Sequence, residues 1–265
     1  MINLYKGDCL EVMKQIPTGS VDAIITDPPY GTTACKWDSV IDFDLMWKQL
    51  NRIIKPNGAI VLFGSEPFSS ALRMSNIKNY KYDWIWEKNF SGGFVLAKKR
   101  PMKYHENISV FYLKQPTYNP IFEDYAKTTK KRFKNSGKIN SKKLQKEKYT
   151  NEIQGIKRVN DEVVLKRGKY PSTVQKIKGV PNANGVRVHP TQKPVALMEY
   201  LIKTYTNENE TVLDFTMGSG STGVAAKNLN RKFIGIEQDE NYFNIATDRI
   251  NKVEPQTKLF WISSL

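Results

Sequence analysis

A chain of 265 residues, 40% of them hydrophobic, is long enough to bury a full α/β core, which excludes an intrinsically disordered chain. Its longest apolar stretches, such as AIVLF at 59–63, are strand-sized, so no membrane span is read and a soluble, unexported, cytoplasmic protein is expected. The formal charge of +15 points to a polyanionic partner, nucleic acid first, although a lysine-rich composition bias would give the same total.

In chain order, MINLYKGDCLEVM at 1–13 has no basic region followed by an apolar one, so no leader is expected. Cys9 and Cys35 lie apart with no CxxC spacing, so neither a disulfide framework nor a metal cluster is expected. SVDAIITDPPY (20–30) carries a buried-strand run at Ala23, Ile24 and Ile25 that two prolines must end, because neither ring nitrogen can donate to a sheet ladder.

The tetrapeptide Asp27-Pro28-Pro29-Tyr30 suits a clamp on an amino group. A residue before proline is pushed towards extended geometry, which stiffens Asp27 and Pro28 and leaves the Pro28 carbonyl aimed outward. The Asp27 carboxylate and that carbonyl can each take one N–H of an exocyclic amine, drawing its lone pair towards an electrophile. Tyr30 offers a flat face on which a base would stack, worth roughly 1–3 kcal/mol. The alternative is a plain strand terminator.

A helix over Met46, Trp47, Leu50 and Ile53 follows, and IIKPNGAIVLFGS (53–65) reads as helix end, Pro-Asn-Gly turn and second buried strand. YDWIWEK (82–88) and HENISVFYL (105–113) add strand-like runs on either side of a Gly-Gly and basic loop, SGGFVLAKKRPMKY. Residues 114–178 hold 18 Lys plus Arg against 6 Asp plus Glu, a surplus of 12 that carries most of the net charge. This stretch lacks apolar periodicity and is aromatic only intermittently, at Tyr118, Phe122, Tyr125, Phe133, Tyr149 and Tyr170, so it reads as an insert.

Past the insert, VALMEYLIKTY (195–205) has the spacing of an amphipathic helix, TVLDF (211–215) is a strand, STGVAAKNLN (221–230) a small-residue helix and FIGIE (233–237) the next strand. Strands alternating with helices predict a mostly parallel sheet covered on both faces. The glycine-rich turn at 214–222 lies between strand and helix, and Glu237 follows 23 residues after Asp214, where a carboxylate would take ribose hydroxyls. A carboxylate at Asp214 would repel a pyrophosphate and suits a ligand with a cationic end, of which S-adenosylmethionine is the leading example; a turn or capping role is the alternative. A dinucleotide-dependent dehydrogenase is a poorer fit, lacking an N-terminal GxGxxG. KLFWISSL, at 258–265, is apolar enough to pack on the core or on a second subunit.

Taken together, TDPPYG at 26–31, HPTQKP at 189–194 and LDFTMGSGSTGVAA at 213–226 resemble the catalytic motif, the preceding element and the cofactor loop of the amino-methyltransferases of DNA, over about 190 of the 265 residues. Finding the catalytic motif first and the cofactor loop last resembles the β-class order. The resemblance implies a Rossmann-like methyltransferase fold with a catalytic half at 1–115, a target-recognition insert at 116–185 and a cofactor-binding half at 186–265.

It implies S-adenosylmethionine as cofactor, held by Asp214, Phe215, Gly218, Ser219, Gly220, Ser221 and Thr222, with Glu237 on the ribose and Asp8 at the adenine end. Thr191, Gln192, Lys193 and Pro194 would meet the carboxylate end, and Asp27 would face both cofactor and target. Asp27, Pro28, Pro29 and Tyr30 would be the catalytic group. No metal is implied, and His189 and His105 read as packed or capping residues, although HENISVFY resembles a strand segment lining the family's catalytic pocket.

Double-stranded DNA is then the partner, with a homodimer and a partner restriction endonuclease compatible but unspecified. An Asp at position 27 resembles the adenine-N6 branch more than the cytosine-N4 branch. The cytosine-C5 branch is set aside for want of its nucleophilic cysteine element, which leaves direct in-line transfer without a covalent intermediate. The target base must be flipped out of the duplex, and Arg132, Arg158 and Arg167 would read guanine edges or touch phosphates. N4-cytosine methylation, an RNA or protein amide as substrate, and a catalytically idle DNA-binding module stay open as alternatives.

Overall fold

The computed structural model describes residues 1–32, 38–92, 94, 97–135, 168–181 and 187–254. Cys35, Tyr149, Arg158, Arg167 and the 258–265 segment lie outside the described residues, as do the side chains of Arg132 and Phe133. The chain divides into two compact units, one of 1–119 with 173–265 and one of 120–172.

The larger unit is built on one eight-stranded sheet. Its centre is β2 (Val21–Thr26), whose side chains are nearly all buried because both faces are covered. On one side β2 pairs in parallel with β3 (Ile54–Gly64), and on the other with β7 (Thr211–Asp214), then β8 (Lys232–Glu237) and β1 (Ile2–Lys6). Beyond β3 lie β5 (Lys103–Phe111), β4 (Tyr80–Gly92) and the short β6 (Val174–Lys176), giving the order β1-β8-β7-β2-β3-β5-β4-β6. Among these strands β5 alone runs against the rest, so the expected mostly parallel α/β sheet is what forms.

Alternation along the strands sends successive side chains to opposite layers. Ala23, Ile25, Val61, Phe63 and Val212 join one core with α5 (Val195–Tyr205) and α6 (Ser221–Asn228). Ile24, Ile60, Leu62 and Leu213 join the other with α1 (Cys9–Met13), α2 (Phe43–Ile53) and α3 (Phe68–Ser75). Helix α2 starts where the Asp42 carboxylate accepts from the Leu45 N–H at 2.9 Å, and its buried stripe is Met46, Trp47, Leu50 and Ile53. Helix α5 is anchored by Tyr205, whose hydroxyl receives the Trp84 indole N–H at 2.6 Å.

The Pro-Asn-Gly sequence at 56–58 was expected as a turn between helix and strand, but β3 runs through it. The pairing jumps from Val21 opposite Ile54 to Ala23 opposite Ala59, so the extra residues are absorbed as an irregularity opposite Asp22. Helix α2 therefore passes straight into β3. Strand β6 lies inside the stretch read above as insert, yet it pairs in parallel with β4. Its three residues alternate exposed, buried, exposed, too short a pattern to separate from loop.

The smaller unit contains α4 (Lys127–Asn135), a bridge between Glu123 and Lys169, and Phe122 against Tyr170 with ring centroids 4.9 Å apart. No helix among the described residues is long and apolar enough to cross a membrane.

Between β7 and β2 the chain connections part in opposite directions, towards β8 and β1 on one side and β3 on the other. In an open parallel sheet, that switch point leaves a crevice beyond the carboxyl ends of the strands. Thr26, Asp214, Glu237 and Lys6 all end their strands at this edge, and helix α7 (Glu240–Asn251), capped by Asp239, begins beside it.

Candidate active site

A cavity of about 250 Å³ occupies this crevice. The motifs from both ends of the sequence meet in its wall. Asp27, Pro28, Pro29 and Tyr30 line one side, and Asp214, Phe215, Gly218, Ser219, Ser221 and Thr222 another. Asp8, Thr191, Gln192, Lys193 and Glu237 complete the expected set. Two expected residues are elsewhere. Pro194 sits at the start of α5, and Gly220 faces α7: its φ is +77°, and a Cβ there would stand 2.9 Å from the Ala246 Cβ. Gly220 is thus required for helix packing.

Asp214 is 3% exposed. Its carboxylate accepts from the Thr222 hydroxyl at 2.5 Å, the Thr216 N–H at 3.2 Å and the Thr26 hydroxyl. Burial raises its pKa from 3.8 to about 6, against the pull of those donors. Among the described residues no lysine or arginine pairs with it, so this wall holds an anion with no cation of its own. The Ser221 hydroxyl, which lines the same cavity, is buried without a hydrogen-bond partner among the described residues.

Glu237 ends β8 and receives the Gly218 N–H at 2.9 Å on one oxygen and the Asp239 N–H at 2.8 Å on the other. Burial raises its pKa, and those amides oppose the rise. The Gln238 amide also donates to this carboxylate, which still keeps a lone pair for a ligand hydroxyl. Gly218, at φ +50°, makes the turn that directs its N–H to Glu237. Asp8 caps α1, accepting from Leu10 N–H at 2.8 Å and Glu11 N–H at 3.2 Å. His189 is packed edge-on against Tyr242, at 4.2 Å between centroids, and its Nδ1 accepts the Thr191 N–H. Burial lowers its pKa from 6.5 to about 4, so it is neutral. No metal-binding cluster occurs among the described residues.

The Asp27 carboxylate is held on both oxygens. Tyr30 donates its hydroxyl to Oδ1, and the Lys193 ammonium contacts Oδ2. No group among the described residues donates to the Pro28 carbonyl. The Tyr30 ring packs on Phe68 with centroids 5.0 Å apart, which fixes the plane it presents.

Several participants escaped the sequence reading. Asp38 accepts the backbone N–H groups of Tyr30 (2.7 Å), Gly31 (2.9 Å) and Thr32 (2.9 Å), pinning the loop after the prolines. Thr26 and Thr216 bridge the two motifs, their hydroxyl oxygens 2.8 Å apart. Glu106, from HENISVFY on β5, reaches the Lys193 ammonium at 3.4 Å. No short pattern marks Asp38, and Thr26 lies inside the TDPPYG motif without a role having been read for it. Glu106 had a signal in the resemblance of its strand segment to a pocket wall.

A family model described as DNA methylase, of the N6/N4 methyltransferases, matches residues 21–248. The type II methyltransferase M.HinfI of Haemophilus influenzae is 27% identical over 285 residues, spanning 95% of this chain and 69% of that protein. M.HpaI of Haemophilus parainfluenzae, also a type II methyltransferase, is 29% identical over 262 residues, spanning 94% and 74%. Among solved structures, the M1.HpyAVI–SAM complex matches with a TM-score of 0.62 at 29% identity, covering 95% of this chain and 100% of that one. The cytosine-N4-specific PvuII DNA methyltransferase shares the fold, with a TM-score of 0.64 at 17% identity and coverage of 96% and 88%.

Proposed function

This chain belongs to the DNA methylase family of N6/N4 methyltransferases, and from that membership we propose that it transfers a methyl group to the N6 amine of adenine in double-stranded DNA. S-adenosylmethionine is the donor, and when bound it supplies a methyl group on a cationic sulfur. The cavity fits such a ligand: among the described residues Asp214 is a buried anion without a partner cation, and the Ser221 hydroxyl on the same cavity has no hydrogen-bond partner.

The loop from Asp214 to Thr222 encloses the amino-acid end, Glu237 takes the ribose hydroxyls and Asp8 lies towards the adenine. Asp27 and the Pro28 carbonyl receive the two N–H bonds of the target amine, turning its lone pair towards the methyl group. The Asp27 carboxylate must exchange or share a contact to do so, because Tyr30 and Lys193 hold it here. A stacked base in a duplex cannot reach this crevice, so the target is flipped out at a cost of a few kcal/mol. The lysine- and arginine-rich stretch at 116–185 supplies the phosphate contacts that offset that cost and, by its place between the two motifs, the target recognition.

The observation that carries this reading is the meeting of Asp27 and Asp214, from opposite ends of the sequence, on one cavity. The adenine preference rests on the aspartate at 27. Incubation of unmethylated DNA with tritiated donor, followed by nucleoside analysis, tests both. N6-methyladenine is expected. N4-methylcytosine overturns the choice of base, and DNA that stays unlabelled across varied sequences overturns the activity.

A further inference from the structure

At the cavity wall, four charged side chains from four segments, one buried and three half-buried, form a group of zero net charge. Lys193, 7% exposed, touches Asp27 Oδ2 and stands 3.4 Å from Glu106 Oε2. The other Glu106 oxygen is paired with Lys88 of β4, which lies over the Trp86 ring at 4.8 Å. The Thr191 carbonyl is 3.4 Å from the Lys193 ammonium, and the Phe63 ring lies 5.1 Å away. Asp27 and Thr191 therefore accept from the Lys193 ammonium, and Glu106 Oε2 faces it as an ion-pair partner at 3.4 Å without a hydrogen bond, with an aromatic face alongside.

A donor carboxylate approaching this ammonium would meet two carboxylates already there, and like charges at such range repel strongly in a buried site. The electrostatic reason for placing Lys193 at the methionine end of the cofactor is lost once its partners are visible.

We infer that Lys193 is a positioning residue for Asp27, holding its carboxylate charged and aimed at the target amine, with Glu106 and Lys88 fixing the ammonium in turn. The inference rests on the reading of Asp27 as the amine acceptor. Burial raises the Asp27 pKa, the Lys193 ammonium opposes that rise and Glu106 adds to it. In Glu106 burial pushes the same way, but Lys193 and Lys88 outweigh it and hold its pKa below the usual range. Burial alone would lower the Lys193 pKa, yet Asp27 and Glu106 raise it, so the ammonium stays charged. The Tyr30 hydroxyl also faces Asp27; Asp214 is a second anion across the crevice, Lys103 acts on the group through Glu106, and His189 stands near Lys193 as a neutral ring.

A protonated Asp27 is a poor acceptor for an amine N–H, so the lysine sets the pH range in which the clamp works. The two neighbours of Asp27 should then move its titration in opposite directions. Lys193→Met removes the stabilising cation, whereas Glu106→Gln removes the competing anion and leaves the ammonium to Asp27. A residue serving only to hold the fold has no reason to give opposite signs.

The experiment is an NMR titration of isotope-labelled aspartate carboxyl carbons in the full chain, with Asp27 assigned by its loss in Asp27→Asn. Donor affinity is measured alongside by calorimetry with S-adenosylmethionine. Lys193→Met is expected to raise the Asp27 midpoint by about one to three pH units, Lys193→Arg to restore most of it and Glu106→Gln to lower it. Donor affinity should change less than about threefold, under 1 kcal/mol.

A tenfold or greater loss of donor affinity in Lys193→Met with the Asp27 midpoint unmoved would falsify the inference and return Lys193 to the donor carboxylate. Midpoints moving the same way in both variants would also overturn it. If Lys193→Met fails to fold, Glu106→Gln and Lys193→Arg decide: an unmoved midpoint in the first, or lost donor affinity in the second, sinks it. The titration needs no turnover, so an inactive wild type would refute the proposed activity while leaving this result to stand or fall alone.

Discussion

The Thr26 hydroxyl, at the end of β2, donates to the Asp214 carboxylate at the end of the neighbouring β7, across 188 positions of sequence. Its oxygen lies 2.8 Å from that of Thr216, and the Thr216 hydroxyl donates to the Asp27 carbonyl at 3.1 Å. With the Thr26 proton given to Asp214 and the Thr216 proton to Asp27, the two hydroxyl oxygens are in contact, and this run of contacts joins Asp214, Thr26, Thr216 and Asp27. Parallel pairing of β2 with β7 brings the donor loop and the target clamp side by side, and this run sets their spacing.

Thr26→Val tests that run. The valine keeps the volume and the β-branch but deletes the buried hydroxyl, leaving Asp214 Oδ1 with the Thr216 N–H and the Thr216 hydroxyl with the Asp27 carbonyl. Stability should fall by about 1–3 kcal/mol, the worth of one buried hydrogen bond to a carboxylate, and Thr26→Ser should recover most of it. Denaturant unfolding gives the stability, and calorimetry with S-adenosylmethionine should show weaker binding in the valine variant alone. An unchanged unfolding midpoint in Thr26→Val would mean the hydroxyl contributes nothing.

Asp214→Asn should separate stability from function. The folded Asp214 pKa is about 6 against an ordinary 3.8, so between these values the folded state holds a proton that the unfolded chain lacks. Its contribution to stability is therefore greatest below the lower value and is lost as pH rises through 6. Above pH 6 the buried charge costs at most about 3 kcal/mol, and the neutral amide should stabilise the ligand-free protein there by about 1–2 kcal/mol while S-adenosylmethionine affinity collapses. His189 has the opposite slope: its pKa falls from 6.5 to about 4 on folding, so its contribution is present above 6.5 and lost as pH drops towards 4. The two slopes oppose each other in the wild type. With Asp214 neutralised, thermal unfolding should show a steeper loss of stability on acidification below pH 6.5.

Much of this architecture is legible in the residues. Ala23, Ile24 and Ile25 before two prolines mark the end of a buried strand, and Val195–Tyr205 carries a helical stripe, because burial imposes those periods directly. Strand β1 escaped the reading because INLYK has only partly buried and exposed positions. Helices α3 and α7 were missed because each buries only two or three side chains. The site divides the same way. Asp27, Tyr30, Asp214 and Glu237 sit in recognisable local patterns, whereas Thr26 and Thr216 act through partners that strand pairing brings near, and Asp38 through the fold of its own loop. For Lys193, its position was legible but its partners Asp27 and Glu106 were not, since they come from two other strands or strand ends.

Asp27→Ala removes one of the two acceptors proposed for the amine and leaves the Pro28 carbonyl. Losing one preorganised electrostatic group of this kind costs about 10²–10³ in rate. Methyl transfer to DNA should fall by that factor while affinity for S-adenosylmethionine changes little. Circular dichroism should remain native, since Glu106 still faces the Lys193 ammonium. Undiminished transfer by a properly folded variant would remove Asp27 from the mechanism.

Asp38 provides the last test, because its carboxylate holds three successive backbone N–H groups of the loop that presents Tyr30. Oδ1 takes the N–H groups of Tyr30 and Gly31, and Oδ2 takes that of Thr32. Hydrogen bonds to a charged acceptor are stronger than neutral ones, and three on one side chain leave the loop few alternative conformations. Asp38→Ala frees all three amides, and Asp38→Asn keeps an oxygen for two of them while turning an NH2 towards the third. Stability should drop by about 1–3 kcal/mol in the alanine variant and by less in the asparagine one. The loop acts on target presentation more than on donor binding, so single-turnover transfer at saturating donor should slow in the order wild type, Asp38→Asn, Asp38→Ala. Equal rates in all three would show that Tyr30 is held by its contacts with Phe68 and Asp27 without help from the loop.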